Sequence, residues 1–269
     1  MFNSAPSLSL IRSWKDVSAE WKKLRRDFSE RTIHDLRVAT RRMIADLEVA
    51  TAVTGSRKAY RLNRKFKKVL ERLGPLRDVQ VHLLNSRRGT SVWTSTFSAF
   101  LKQREAEEIR RLRKRMQEET RKGFRRDVWN TNRKLKSIEE GISRPVLRAA
   151  IQANIDKKIT SVLLADARFR RTSSNEDLHR MRVQFKRLRY AAEVAKPIIG
   201  GFTNLQMQKM RKLLKAMGEI HDLQTYMTAL AEWSGRKPPL ELQKKHDVLM
   251  TAFKARPALT EEFNFRNRP

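Results

Sequence analysis

Ile33-His34-Asp35-Leu36-Arg37-Val38-Ala39-Thr40-Arg41-Arg42-Met43 carries two patterns at once. Ile33, Leu36, Thr40, Met43 and the later Leu47 recur at helical spacing and make a mostly apolar stripe that belongs in a core. His34, Arg37 and Arg41 recur at i, i+3 and i+7, which stacks them as a basic stripe on a second face of the same helix, with Arg42 further round. A near copy stands about 145 residues on, from Leu178 to Arg189. There Leu178, Met181, Phe185, Leu188 and Ala192 form the apolar stripe, and His179, Arg182, Lys186 and Arg189 the basic one. Arg187 repeats Arg42. Strand-like alternation is nearly absent from the rest of the chain, so the expected fold is all-α.

Some thirty residues after each motif comes a second shared block. The first runs Lys65-Phe66-Lys67-Lys68-Val69-Leu70-Glu71-Arg72-Leu73-Gly74-Pro75-Leu76-Arg77-Asp78. The second runs Lys209-Met210-Arg211-Lys212-Leu213-Leu214-Lys215-Ala216-Met217-Gly218-Glu219-Ile220-His221-Asp222. Phe66, Val69, Leu73 and Leu76 fall on an inward face, as do Met210, Leu213, Met217 and Ile220. Lys65 and Lys68 share another face, and Lys209 and Lys212 repeat it. A chain that repeats a His/Arg/Lys pattern in both halves is expected to build one basic site from two related surfaces.

Composition points the same way. Sixty Lys and Arg against 29 Asp and Glu give a formal charge of +31 over 269 residues. Such an excess repels itself in the compact state and suits a polyanionic partner: nucleic acid, polyphosphate or an anionic membrane. Cations stacked on one stripe cost about 0.2–0.5 kcal/mol per like-charged pair in an isolated helix, a cost reversed when an anion lies along them. Arg grips phosphate oxygens in pairs, Lys supplies a mobile charge, and protonated His donates from both nitrogens. There is no Cys, hence no disulfide framework or thiolate metal site. Met1 to Lys15 has no apolar run of signal-peptide length and no stretch would span a bilayer, which makes a cytoplasmic protein the default.

Helices are expected at about 7–28, 31–53, 57–73, 77–88, 92–121, 124–140, 144–168, 174–196, 203–217, 220–233 and 238–254. Gly55, Gly74, Gly141 and Gly218 suit left-handed positions just past helix ends. Asp78 and Asp222 suit N-caps of the helices that follow, so the Gly-x-x-x-Asp turns need no chemistry. Pro197, Pro238 and Pro257 are expected at or beyond helix ends, and the segment from Phe97 to Lys122 as an exposed, salt-bridged helix. A break near Glu140–Pro145 divides the chain into bundles 1–141 and 142–269, and the tail from Ala258 is expected to be loosely attached.

His-x-x-Arg-Val-x-x-Arg-Arg at His34–Arg42 and His-x-x-Arg-x-x-x-Lys-Arg-Leu-Arg-Tyr at His179–Tyr190 resemble the signatures of the CHAD family, the conserved histidine α-helical domain. The likeness covers essentially the whole chain. It implies two helical bundles related by pseudo-two-fold symmetry around a basic central cleft or pore that binds inorganic polyphosphate, in proteins found with polyphosphate granules or polyphosphate-metabolising domains. On this reading the ligand-facing residues are His34, Arg37, Arg41, Arg42, Lys65, Lys68, His179, Arg182, Lys186, Arg187, Arg189, Lys209 and Lys212. Where the family pattern commonly has Arg, the first half has Ile44. The second half keeps Arg189, so it is expected to hold the main phosphate grip. His82 and His221 are not required to touch ligand.

Other function classes are less well supported. A nucleic-acid-binding helical protein would account equally well for the charge. Yet no helix-turn-helix, zinc-finger or basic-zipper pattern occurs, nor aromatic–basic interleaving suited to single strands. A polyphosphate-cleaving enzyme would recruit Mg²⁺ through clustered carboxylates, and no such cluster or Walker-type loop stands in the sequence. Glu48 and Glu193, in equivalent positions, read as ion-pair partners that orient Arg or Lys. The expectation is therefore a non-catalytic, cofactor-free and metal-free binder of polyphosphate. Polyphosphate-metabolising enzymes are its further partners, nucleic acid a weaker nonspecific one, and no membrane is involved.

Overall fold

The computed structural model of the chain describes residues 5–86, 92–117 and 121–263. Among these residues the regular structure is helical throughout: α1 (Pro6–Leu24), α2 (Glu30–Thr54), α3 (Arg57–Arg72), α4 (Gly74–Ser86), α5 (Val92–Gln117), α6 (Arg121–Gly141), α7 (Arg144–Thr172), α8 (Asn175–Ile199), α9 (Asn204–Ser234), α10 (Leu240–Lys254) and α11 (Leu259–Phe263). The all-α expectation holds. The ends of the expected 77–88 and 92–121 helices, and residues 264–269 of the tail, lie outside the described residues.

Local signals set the helix ends where the chemistry is unambiguous. Ser29 caps α2 by accepting from the Thr32 N–H, and Asp27 accepts from the Ser29 N–H at 2.8 Å. Together they end α1 earlier than the expected 28. Thr203 and Gln206 form a reciprocal capping box on α9. Gly55 closes α2 at φ 59 with its N–H on the Thr51 carbonyl, the left-handed cap expected there.

Gly74, Gly141 and Gly218 do not take that conformation; among the described residues the left-handed glycines besides Gly55 are Gly200, Gly201 and Gly235. Gly74 opens α4, Gly141 is the last residue of α6, and Gly218 lies inside an unbroken α9 that merges the expected 203–217 and 220–233. Asp78 and Asp222 therefore sit within helices and cap neither. The difference between the two blocks is one residue. Pro75 has no N–H for a helix to continue through and stops α3, whereas Glu219 at the matching place lets α9 run on. Pro197 falls in the last turn of α8 rather than beyond it.

The chain divides into two compact units, each drawn from several segments. One comprises Met1–Gln80, Lys102–Ile155 and Tyr190–Gly200, the other Val81–Leu101, Asp156–Arg189 and Gly201–Pro269. Both take residues from either side of the 141/142 division. In the first unit Leu10, Trp14, Val17 and Trp21 of α1 pack with Ile33, Leu36, Met43 and Leu47 of α2, Phe66 and Val69 of α3, and Phe124, Val128 and Leu135 of α6. The rings of Phe66 and Phe124 stand 4.9 Å apart. Leu112 of α5 is buried and Ile109 and Met116 partly so, which gives that charged helix an apolar edge.

In the second unit Phe97 packs against Tyr226 at 5.8 Å and Trp233 at 5.2 Å. The tail departs from expectation as far as residue 263. Leu259 and Phe263 are buried, Phe263 packs on Phe185 at 5.6 Å, and the Leu259 N–H donates to Asp166 at 3.2 Å. Asp166 also takes an ion pair from Arg256. A buried carboxylate on α7 anchors what looked like a loose end.

Candidate polyanion-binding faces

The apolar stripes of α2 and α8 are buried, which turns their basic stripes outward. His34, Arg42, His179 and Arg187 are exposed, and Arg37, Arg41, Arg182, Lys186 and Arg189 are half-buried. Each signature arginine lies over the glycine of the following block. The Arg37 guanidinium stands 4.0 Å from where a Cβ on Gly74 would be, and that of Arg182 3.7 Å from the same point on Gly218. Each glycine thus lies beneath an arginine side chain, at a distance where a Cβ would make an ordinary contact.

Beside its glycine each arginine has a polar partner. Arg37 donates from Nη1 to the Leu70 carbonyl at 2.8 Å, serving a group in the last turn of α3, where a cation is favoured. Arg182 stands 3.6 Å from the Asp222 carboxylate, in a helix that runs on past its glycine.

The histidines are set in these basic surroundings. His34 has its pKa lowered by partial burial and by Arg77 and Arg41, against the opposing pull of Glu30 and Asp35. Arg77 is itself paired with Glu30. His179 is lowered by partial burial, Arg182 and Lys186. His221 is pushed down to about 3 by burial, then by Arg182, His179, Lys186 and His82. The Nδ1 atoms of His179 and His221 are 3.3 Å apart and their rings 4.4 Å. Two imidazoles in that contact can share one proton but are crowded by two.

His82 adds a third ring. It is half-buried, its pKa lowered by burial against Asp222, and its Nδ1 is buried with no hydrogen-bond partner. Neither histidine is repeated between the halves, since His82 matches Tyr226 and His221 matches Arg77, so the repeat does not point to them. Once α9 is continuous, Gly218, His221, Asp222 and Thr225 fall at i, i+3, i+4 and i+7, on one face.

The lysines of the second block turn elsewhere. Lys65 pairs with Asp127 of α6 at 2.6 Å, and Lys209 donates to the Glu262 carbonyl of α11 at 3.4 Å. Lys68 and Lys212 are exposed on the same faces of α3 and α9. They lie round the helix from the positions that meet α2 and α8. Glu193 is 3.9 Å from Arg42 and Glu48 is 3.4 Å from Lys67, ion pairs of the orienting kind expected. Ile44 packs against the core of the first unit, which explains a hydrophobe at that position. Among the described residues no group of three or more His, Asp or Glu is disposed to hold a metal ion, and no helix is long and apolar enough to cross a membrane.

The family model for the CHAD domain matches residues 10–231. A crystal structure of the CHAD domain from the plant Ricinus communis superposes with a TM-score of 0.66 at 17% identity, covering 98% of this chain and 91% of that one. No curated protein matches the sequence.

Proposed function

This chain belongs to the CHAD domain family, and on that footing we propose that it binds inorganic polyphosphate without turning it over, through the basic faces of α2 and α8. The observation that carries the reading is the twice-built arrangement of His34, Arg37 and Arg41 and of His179, Arg182 and Lys186. In each, an arginine lies over a glycine and a histidine is kept short of protons by partial burial and by its basic neighbours. A bare basic surface has no need to fix its arginines. A polyanion does, because ordering long side chains beforehand lowers the entropy lost on binding.

The second face, with Arg182 and Lys186 near His179 and His221 and with Arg189 further along α8, is the stronger grip. Polyphosphate-metabolising enzymes are the proteins it would meet at that ligand, in the cytoplasm or at polyphosphate granules. Nucleic acid is a weaker competitor, since these stripes offer charge and few base-stacking surfaces.

Arg37 and Arg182 also contact α3 and α9, so their removal would mix folding with binding. Arg41→Gln with Lys186→Gln leaves those two contacts in place. In a titration with long-chain polyphosphate this double variant should weaken binding on the order of tenfold or more. Removing two exposed cations of α5, Arg110→Gln and Lys114→Gln, should weaken it about twofold at most, and wild-type binding should resist an equal phosphate concentration of duplex DNA. DNA that competes on equal terms would overturn the polyphosphate reading. Orthophosphate released from polyphosphate in the presence of Mg²⁺ would overturn the non-catalytic one.

A further inference from the structure

The outer face of α3 is more basic than the repeated blocks account for. Arg57, Arg61, Arg64 and Lys68 recur at i, i+4, i+7 and i+11 with Lys65 alongside, and all five are exposed. Ala59, Leu62, Phe66 and Val69 bury the opposite face, so these cations cannot turn inward. From Arg57 to Leu70 the helix has no acidic residue. Neighbouring helices offset little of this: Asp127 pairs with Lys65 and Glu48 with Lys67, while Arg57, Arg61 and Arg64 have no ion pair among the described residues. Each like-charged i, i+4 pair costs about 0.2–0.5 kcal/mol in an isolated helix.

The second half shows that the lysines do not require the arginines. Lys65 and Lys68 match Lys209 and Lys212, but Arg57, Arg61 and Arg64 match Gly201, Leu205 and Gln208. Descent from a common repeat explains the shared lysines and leaves the one-sided arginines unexplained. From Arg57 to Lys68 the helix rises about 16 Å, room for several phosphates in a row.

We propose that the outer face of α3 is a one-sided track on which Arg57, Arg61 and Arg64, continuing from Lys65 and Lys68, grip a stretch of a long polyphosphate chain. The track rests on the polyphosphate reading above and extends it. A long chain engages the track in addition to the α2 stripe of the same unit, whereas a tripolyphosphate is satisfied by the His/Arg faces alone. Chain-length preference is then written in the arginines of α3.

The test is the full chain carrying Arg57→Gln, Arg61→Gln and Arg64→Gln, set against a control of equal charge, Arg110→Gln, Lys114→Gln and Arg115→Gln on exposed positions of α5. Gln keeps helix propensity, and circular dichroism checks the fold. With polyphosphate of roughly a hundred units, the α3 variant should bind on the order of tenfold more weakly, and the log–log salt slope should shrink by about 2. Its affinity for tripolyphosphate should stay within about twofold of wild type, and the α5 control should lose little with either ligand. Equal losses in the two variants would reduce the track to net charge and overturn it. So would equal losses with long and short ligand, or no loss at all. A wild-type chain that binds neither ligand would remove the polyphosphate reading and the track together, which separates that failure from the others.

Discussion

A histidine pushed down to about 3 is neutral at pH 7, and at His221 the sign of the consequence is fixed. The unfolded chain takes up a proton near the ordinary histidine value of about 6.5, whereas the folded chain resists it. Stability from this group is therefore present above that value and is lost as pH falls below it. Asp46 acts in the opposite sense over an overlapping window. It is buried between α1 and α2, accepts from Ser13 and is pushed up to about 6, so the folded state binds its proton first. The two must be separated by substitution. The melting temperature of wild type minus that of His221→Gln should fall as pH drops from about 8 to about 5; a flat difference would show that the ring is not held neutral. Polyphosphate beside the ring would favour the charged form, so affinity should rise over the same range and rise less in the variant. The pairing of His221 with His179 was not legible in the chain, because they are 42 positions apart and meet only where α8 crosses α9.

At the scale of the element, one proline separates the two repeats. Pro75 ends α3, beside whose last turn Arg37 donates to the Leu70 carbonyl, while Glu219 carries α9 through and Arg182 stands by Asp222. The difference is legible in the chain as Leu73-Gly74-Pro75 against Met217-Gly218-Glu219, because only proline lacks the N–H that a continuing helix needs. Gly218 is helical, and a Cβ there would meet Arg182 at 3.7 Å, an ordinary contact. Gly218→Ala should therefore stabilise the fold by about 0.5–1 kcal/mol, measured by urea denaturation, and leave polyphosphate affinity within about twofold. Gly218→Leu should displace the Arg182 guanidinium and weaken polyphosphate binding severalfold while the helix content stays unchanged. If the leucine variant binds as wild type does, the glycine is not a seat for the arginine.

Over the whole molecule a charge of +31 opposes compaction and attracts polyanions through the same field. Raising NaCl from about 10 mM to about 200 mM shortens the screening length from about 30 Å to under 10 Å. The melting temperature should then rise, while polyphosphate affinity falls steeply; a melting temperature that falls with salt would mean that the ion pairs outweigh the repulsion. The chain by itself determined that the fold is helical, which face of α2, α3, α8 and α9 is buried, and that two basic faces recur. Those properties follow from residue spacing on a helix, which is local. Tertiary structure alone decided that Arg37 and Arg182 rest on glycines, that His221 joins His179, that Lys65 turns to Asp127, and that Leu259 and Phe263 are anchored by Asp166 and Phe185. What a long charged side chain meets depends on the helix packed beside it, and spacing along one helix carries no record of its neighbour.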